Sequence, residues 1–181
     1  MPYEDMPDIR LRPCEARDIA AVQAIYADAV LTGLASFELE APTVEEMQAR
    51  WTKITAAGFP FLVAERGGEL SGFAYAAAYR ERPAYAGTVE DSVYVDRRHR
   101  GAGIGRMLLA EVIAHCETGG FRQMIAVIGD SGNAGSVALH QRLGFDHVGT
   151  FRSVGWKHGR WLDTVLMQRS LGAGDTAPPQ I

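Results

Sequence analysis

Residues 92–111 contain side chains and spacings suited to holding a phosphate group. The stretch begins with Val-Tyr-Val at 93–95, residue types that are typical of a buried strand. A basic, glycine-rich turn follows at 97–105, and apolar residues then recur at helical spacing from Met107 onward. Glycines let backbone N–H groups approach an anion, and a helix N-terminus adds partial positive charge. This turn is therefore predicted to bind a phosphorylated cofactor.

The spacing of the glycines decides which cofactor is expected. A P-loop needs Gly-Lys followed by Ser or Thr, and a dinucleotide-binding turn needs G-x-G-x-x-G, whereas Gly101, Gly103 and Gly105 are spaced G-x-G-x-G. Arg100-x-x-Gly103-x-Gly105, directly after a hydrophobic strand, resembles the pyrophosphate-binding signature of the GNAT superfamily of acetyl-CoA-dependent N-acetyltransferases. Taken alone, so short a signature also fits an ordinary glycine-rich connection.

Further segments strengthen the resemblance over roughly residues 8–171. The series Asn133-x-x-Ser136-x-x-Leu139-His140-x-x-x-Gly144-Phe145 resembles the second cofactor motif of the superfamily. Segments 90–95 (EDSVYV), 126–129 (AVIG) and 155–161 (GWKHGRW) look like the phosphinothricin N-acetyltransferase branch, whose close bacterial relatives acetylate methionine sulfoximine and methionine sulfone. The chain is therefore identified as a member of this branch by resemblance.

Glu90 is the candidate general base. It lies two residues before Ser92 on the strand that enters the turn, and therefore on the same face of that strand. Amines near neutral pH are mostly charged, so acetyl transfer needs a group that accepts a proton directly or through water. Burial would raise the pKa of this carboxyl toward a useful range, although the spacing alone also allows a salt-bridged carboxylate. Asp91 stands where the branch is expected to carry a smaller residue, and alternation directs it to the opposite face.

His140 is the second catalytic candidate. It lies seven residues beyond Asn133, nearly on the same helix face, at a position where many superfamily members carry Tyr. The resemblance implies that it protonates the leaving thiolate or hydrogen-bonds the cofactor, and a purely structural histidine is the alternative. Asn133 is expected to cap its helix, to hydrogen-bond the pantetheine arm, or both.

A backbone N–H near Val93 or Val95 is expected to polarise the thioester carbonyl. The residues predicted to bind acetyl-CoA are Val93, Tyr94, Val95, Arg100, Gly101, Ala102, Gly103, Ile104, Gly105, Asn133 and His140.

The loop before the Glu90 strand holds the candidate substrate ligands. Arg80 and Arg82 suit the carboxylate of an amino-acid substrate, with Tyr85 close by, although exposed loop charge is an equal alternative without the resemblance. Phe37 is predicted to line the same pocket, beside Glu90. The family is dimeric through its C-terminal region, so the resemblance implies a homodimer, with Trp161 in the core or at the subunit contact.

The composition indicates a single soluble domain: 181 residues, 47% hydrophobic and 22% charged. A net charge of −4 argues against nucleic acid as a partner. Cys14 and Cys116 have no metal-ligand or CxxC spacing, which favours free thiols in a reducing compartment. With no signal-peptide core and no run of about 18 apolar residues, we expect a cytoplasmic protein without a membrane partner or a metal.

The order of elements predicts an α/β (α+β) domain of the GNAT acyl-CoA N-acyltransferase fold, with a central mixed, mostly antiparallel sheet flanked by helices. The predicted organisation is a flexible lead-in at 1–7, the N-acetyltransferase domain at 8–171 and a disordered tail at 172–181. Predicted elements are helices at 16–30, 43–54, 103–118 and 134–143, hairpins at 61–79 and 145–169, and strands at 9–12, 88–96 and 123–128.

The predicted reaction is direct transfer of acetyl to the α-amine of a small amino-acid analogue in a ternary complex, without an acetyl-enzyme. Acetylation of another small amine or of a protein N-terminus is the alternative enzyme reading, and Arg80 and Arg82 would distinguish the two. A non-catalytic CoA-binding module is the alternative from another class.

Overall fold

The computed structural model describes residues 9–181, so the predicted lead-in at 1–7 lies outside the described residues. The strands are β1 (Ile9–Pro13), β2 (Phe61–Arg66), β3 (Glu69–Ala78), β4 (Thr88–Val95), β5 (Gln123–Gly129), β6 (Asp146–Lys157) and β7 (Arg160–Ser170). The α-helices are α1 (Ile19–Thr32), α2 (Val44–Ala56), α3 (Ile104–Thr118) and α4 (Ala134–Arg142). Within residues 9–181, no helix is both long enough and apolar enough to span a bilayer.

The strands form one sheet in the order β1-β2-β3-β4-β5-β7-β6. Neighbouring strands are antiparallel except β4 and β5, which are parallel, so the prediction of a mixed, mostly antiparallel sheet is confirmed. The parallel pairing is short and ends at Glu90↔Ile125, whereas β5 stays paired with β7 as far as Gly129↔Thr164. Beyond Glu90, β4 and β5 therefore diverge and leave a gap in the sheet.

Each face of the sheet is covered by a different pair of helices. Under α3, a mainly aliphatic core includes Val89, Leu108 and Met167, all of which are completely buried. Under α1 and α2 the core is aromatic, with Phe61 stacked on Phe73 at a centroid distance of 5.8 Å. Because successive strand residues face opposite sides, each residue of β4 belongs to one of these two environments.

The helix starts follow the sequence signals. At α2, Thr43 Oγ1 accepts a hydrogen bond from Glu46 N (3.1 Å) and Glu46 Oε2 accepts one from Thr43 N (2.7 Å), which together form a capping box. The first predicted helix is divided: a short 3₁₀ turn at Ala16–Asp18 precedes α1. Residues 33–42 form neither helix nor strand.

The C-terminal segment, for which composition predicts a disordered tail, makes two contacts near the start of β5. Arg122 Nε donates a hydrogen bond to Pro178 O (3.1 Å), and Gln180 N donates one to Gly120 O (3.1 Å). Backbone groups of the segment make both contacts, so its few apolar side chains do not account for them.

Candidate active site

A cleft opens where β4 and β5 diverge. Its walls are the second half of β4, the end of β5 and the first two turns of α4, with one residue from the loop after α1. The lining residues are Ala35, Asp91, Ser92, Val93, Tyr94, Ala126, Val127, Ile128, Gly129, Asn133, Ser136 and His140.

Backbone N–H groups of β4 point into this gap. Asp96 N donates to Ser71 O of β3 (2.9 Å), and Thr88 O of β4 accepts from Tyr79 N (3.3 Å). Because the hydrogen-bonding edge alternates along a strand, the even-numbered residues of β4 face β3, and Val93 and Val95 face the other side. Within the described residues, 9–181, no strand is paired with β4 on that side beyond Glu90. These N–H groups are therefore available to polarise a carbonyl, as the sequence predicts.

The glycine-rich turn ends at the N-terminus of α3. Gly101 and Gly103 both have φ of +79°, a backbone conformation that other residues rarely adopt. The first helical hydrogen bond runs from Met107 N to Gly103 O (3.1 Å). The N–H groups of Ile104 and Gly105 precede it, which is the arrangement that helices use to bind anions. The side chain of Ile104 is buried in the core, so only its backbone can contact a ligand.

The arginines before this turn differ in their partners. Arg97 pairs with Asp28 (2.5 Å), and Arg98 pairs with Asp96 (2.8 Å). The hydrogen bond to Arg98 lowers the pKa of Asp96 to about 2. Arg100 is exposed, and its side chain has no carboxylate partner among the described residues. Of the three, Arg100 is the one whose charge remains available to a phosphate.

Glu90 is the last residue of β4 that is paired with β5. It shares its face with Tyr94, which lies in the aromatic core under α1 and α2. Burial and the neighbouring charge of Asp91 raise the pKa of Glu90, while nearby Arg80 partly offsets them. Glu90 borders the cleft through Ser92 without lining it. A half-buried carboxyl with a raised pKa suits a group that accepts a proton from an amine.

His140 lies on the opposite side of β4 from Glu90, in contact with Asp91. His140 Nε2 is 3.0 Å from Asp91 Oδ2, and His140 Nδ1 is 2.8 Å from Ser136 O. Both side chains are almost completely buried. Burial disfavours the charged imidazole, but the hydrogen bond and the charge of Asp91 outweigh it, so the pKa of His140 is raised. The two predicted catalytic residues thus approach the gap from different faces.

Asn133 caps α4, as the sequence predicts. Its Oδ1 accepts a hydrogen bond from Ser136 N (3.2 Å), and its Nδ2 donates one to Gly129 O (3.2 Å). The amide also lines the cleft, so the capping role and a contact with a bound molecule are compatible. The contact with Gly129 ties the start of α4 to the end of β5.

The two arginines predicted to bind the substrate, Arg80 and Arg82, differ in their surroundings. Arg80 lies over the ring of Tyr79 at 5.1 Å, and Tyr79 in turn contacts Tyr85 edge-on at 5.6 Å. Arg80 is close enough to Glu90 to influence its pKa. Arg82 is exposed, and within residues 9–181 its side chain has no hydrogen-bond or ion-pair partner. The structure therefore brings Arg80 toward Glu90, and Arg82 remains apart.

Phe37 packs against Gly129, which lines the cleft. A side-chain carbon added at Gly129 would lie 2.5 Å from its Cε1 atom, and one added at Gly155 would lie 2.6 Å from its Cε2 atom. The ring therefore packs against the end of β5 at Gly129 and against β6 at Gly155, the two strands that flank β7. Beside it, the buried Lys157 donates a hydrogen bond from Nζ to Ser36 O (2.7 Å), and desolvation lowers the pKa of this lysine.

Sequence reasoning did not assign Lys157, although it belongs to the 155–161 segment that carries the resemblance. It also did not assign the β5 wall, because Ala126, Val127 and Ile128 have no polar side chain that would mark them. Their role in the cleft follows from strand divergence, which no local pattern reveals.

Both cysteines are buried thiols. Desolvation raises the pKa of Cys14 and of Cys116 to about 12. Cys116, on α3, is near enough to Asp91 for that carboxylate to contribute to its shift. A protonated, buried thiol is a poor nucleophile, so neither cysteine is suited to carry an acetyl group.

Comparison with known proteins agrees with this geometry. The acetyltransferase (GNAT) domain family matches residues 11–166. Phosphinothricin N-acetyltransferase of Alcaligenes faecalis is 55% identical over 163 residues, covering 90% of this chain and 83% of that protein. The L-methionine sulfoximine/L-methionine sulfone acetyltransferase of Pseudomonas aeruginosa is 38% identical over 169 residues, covering 93% and 98%.

A solved structure shares the whole architecture. The phosphinothricin acetyltransferase of Sinorhizobium meliloti, in complex with acetyl-CoA, superimposes with a TM-score of 0.93 at 45% identity, covering 96% of this chain and 94% of that one. The predicted GNAT fold is confirmed. The chain belongs to the GNAT family of acetyltransferases.

Proposed function

We propose that this chain transfers an acetyl group from acetyl-CoA to the α-amine of a small amino-acid analogue of the phosphinothricin, methionine sulfoximine or methionine sulfone type. One observation carries the proposal. A cleft opens along β4 where β4 and β5 diverge, and in the chain this part of β4 lies between a half-buried carboxyl with a raised pKa, Glu90, and the glycine-rich turn at the N-terminus of α3. The names of the similar proteins support the substrate class.

The residues around the gap fit acetyl-CoA. The N–H groups of Ile104 and Gly105 and the charge of Arg100 suit the pyrophosphate, with Gly101, Ala102 and Gly103 letting the backbone approach. Asn133 lies beside the route of the pantetheine arm. When bound, acetyl-CoA supplies an activated acetyl group as a thioester. The N–H groups of Val93 and Val95 would bind the thioester carbonyl oxygen as it gains negative charge.

Glu90 accepts the proton that the amine loses, directly or through one water. Desolvation keeps its pKa above the ordinary value, which brings the carboxyl closer to the proton affinity that this task needs. Because both thiols are buried and protonated at neutral pH, transfer proceeds directly to the amine in a ternary complex.

Arg80 binds the substrate carboxylate, with Tyr85 and Phe37 bordering the same pocket and Arg82 as a second cation in the loop. Arginine is suited to this contact because its planar fork matches a carboxylate. The proximity of Arg80 to Glu90 supports a carboxylate site beside the proposed base. A protein N-terminus has no free carboxylate next to its amine, so this contact favours the amino-acid reading.

The first test is release of free CoA thiol from acetyl-CoA over a panel of amino-acid analogues, simple amines and peptides. Turnover confined to free amino-acid analogues supports the proposal. Preference for peptides would favour protein N-terminal acetylation. Acetyl-CoA binding without turnover of any amine would favour the non-catalytic module.

The carboxylate contact has a sharper test. kcat/KM is measured for the parent and Arg80→Ala enzymes, each with a free and an amidated substrate. If the guanidinium meets the carboxylate, each change alone should cost about 1.5–3 kcal/mol and the two losses should not add. Arg82→Ala is the matched variant in the same loop. Fully additive losses would show that Arg80 and the carboxylate do not meet.

The phosphate contact is tested by Arg100→Ala, with Arg98→Ala as its matched control. Arg98 is held by Asp96, so removing it should leave acetyl-CoA affinity nearly unchanged in calorimetry, whereas removing Arg100 should weaken it. Equal losses for the two variants would contradict the assignment of the phosphate contact to Arg100.

We also propose that the chain is a cytoplasmic homodimer that associates through β6 and β7. β6 is an edge strand, and the pair exposes large apolar side chains: Val148, Phe151, Val154, Trp156 and Trp161. Trp161 is 60% exposed, which fits a subunit contact better than a core position.

The dimer is tested by analytical ultracentrifugation. Trp161→Glu should yield a monomer, and Leu39→Glu, at an exposed residue elsewhere, should not. Two free thiols fit a reducing compartment.

A further inference from the structure

The hydrogen bonds of His140 account for both of its ring nitrogens. A carbonyl oxygen only accepts, so Nδ1 must carry the hydrogen that it donates to Ser136 O (2.8 Å). Nε2 lies 3.0 Å from Asp91 Oδ2, and these two atoms must share one proton. No donor or acceptor site is left on the ring for a thiolate or a cofactor. His140 can serve as a proton donor to the thiolate only by breaking its bond to Asp91.

The surroundings of the pair hold that proton in place. Asp91 and His140 are 6% and 2% exposed, and the edge of the Phe145 ring lies against the imidazole at 4.9 Å. The titratable groups near the pair are Cys116 on α3, which is an uncharged thiol at neutral pH, and Glu90 on the other face of β4. Because both ring nitrogens need a hydrogen to satisfy these two contacts, the pair of imidazole and carboxylate carries no net charge. The hydrogen bond and the charge of Asp91 outweigh desolvation and raise the pKa of His140.

The pair of Asp91 and His140 lies where the pairing of β4 with β5 ends. β4 loses its pairing with β5 after Glu90, and Asp91 is the next residue along the strand. Its bond to His140 is a link from β4 to α4 across the region where backbone pairing has ended. Both residues line the cleft. An unpaired carboxylate here would repel the anions expected in the cleft, namely the phosphates and the departing thiolate.

We propose that Asp91 and His140 act as a positioning pair whose shared proton cancels the charge of Asp91 in the wall of the acetyl-CoA cleft, and that His140 is not the proton donor to the thiolate. The inference rests on the proposed function, since acetyl-CoA must occupy this cleft. It assigns a role to Asp91, and it replaces the acid role that the resemblance offers as one alternative for His140.

The shared proton is tested without any substrate. Long-range ¹H–¹⁵N spectra of the full-length protein, labelled with ¹⁵N-histidine, report the protonation of each ring nitrogen. His140 is assigned by its loss in His140→Leu. In the parent at neutral pH, both nitrogens should carry hydrogen. In Asp91→Asn, the amide can donate to Nε2, which should become an unprotonated acceptor.

A matched control uses the exposed pair of His115 and Glu111, whose Nδ1 and Oε1 atoms are 3.4 Å apart. Glu111→Gln should leave the His140 signals unchanged. An unprotonated Nε2 in the parent at neutral pH, or signals that Asp91→Asn does not alter, would overturn the shared proton.

The role in the cleft is tested by calorimetry with acetyl-CoA and by turnover. His140→Leu leaves Asp91 unpaired and should weaken acetyl-CoA binding about tenfold, as expected for a nearby like charge at an effective protein dielectric. Asp91→Asn should bind within about twofold of the parent, since its side chain is neutral. The double variant Asp91→Asn/His140→Leu should regain most of the lost affinity.

Turnover separates this role from proton donation. If His140 supplied the thiolate proton, both variants that lack the imidazole, His140→Leu and Asp91→Asn/His140→Leu, would have the same low kcat, and the double variant would not recover. That result would overturn the proposal. If no amine is acetylated at all, the proposed function fails, while the spectra and the affinities still decide whether the pair shares a proton and masks a charge.

Discussion

Glu90 and Asp91 are neighbouring carboxylates on one strand, and the structure gives them opposite environments. Glu90 faces the side covered by α1 and α2, where it is half-buried near Arg80 and borders the open gap. Asp91 faces the side covered by α3 and α4, where it is buried against His140 at 3.0 Å. Glu90 is open to a substrate, whereas Asp91 is buried in a pair with His140.

The proton affinity of each carboxylate is set by the groups that cover it. On the Glu90 side, burial without a bound partner raises the pKa and leaves the group able to accept a proton. On the Asp91 side, His140 shares a proton with the buried carboxylate and so neutralises its charge. Activity should therefore depend mainly on the first residue, and stability on the second.

The largest expected effect is on turnover in Glu90→Gln. A positioned general base contributes about 10²–10⁴ in rate, so kcat should fall by that order while acetyl-CoA affinity changes little. The deficit should shrink at alkaline pH, where the amine loses its proton unaided. Rates measured across pH, with Glu81→Gln as an exposed control in the preceding loop, test this. An equal loss at every pH would make Glu90 a structural residue.

The opposite signature is expected for His140→Leu. Removing one partner of a buried charge pair typically destabilises a protein by about 3–5 kcal/mol, and we expect a loss of that order in the free energy of unfolding. Urea denaturation of His140→Leu and Glu90→Gln provides the comparison. Similar stabilities for the two variants would contradict the distinction between the two faces of β4.

The same pair predicts a pH dependence of stability. The pKa of His140 is raised on folding, so its contribution is fully present below the ordinary histidine pKa and is lost as pH rises through the folded-state value. The melting temperature of the parent should therefore fall on the alkaline side. In Asp91→Asn this dependence should be much reduced, and an unchanged profile would refute the link to Asp91.

A smaller effect is expected at Gly155, where β6 approaches Phe37. A Cβ atom there would lie 2.6 Å from Phe37 Cε2, so Gly155→Ala must displace the ring. Overpacking of this kind typically destabilises by about 1–3 kcal/mol, and the KM for substrate should rise if Phe37 borders the pocket. Gly149→Ala is the control on the same strand, because its Cβ would meet nothing within 4 Å. Equal effects on KM would argue against Phe37 in the pocket.

The smallest effect is expected at the capping box of α2, the helix that covers the Glu90 side. Thr43→Ala removes the bond to Glu46 N (3.1 Å) and should destabilise by about 1 kcal/mol without altering kcat. Thermal melting and the thiol-release assay measure the two quantities. A marked loss of kcat would show that α2 has a closer link to the active site than its position indicates.

The sequence determined the elements and the cofactor turn, because those signals are local. The capping box of α2, the glycines at φ +79° and the cap at Asn133 are each specified by residues within one helical turn of one another. Hydrophobic periodicity placed most strands and helices, whereas the contacts of residues 172–181 are made by backbone groups, which composition does not reveal. The resemblance to the GNAT superfamily indicated which fold this order of elements forms.

The contacts between these elements depend on the tertiary structure. Alternation predicted that Asp91 faces away from Glu90, but not that His140, 49 residues later in the chain, meets it there. The partners of Arg97 and Arg98, which leave Arg100 available, also come from contacts distant in the chain or from the shape of the turn. The cleft itself exists because β5 pairs with β7 further than with β4. Pairing lengths and burial depend on the whole fold, and these set the proton affinities on which the chemistry depends.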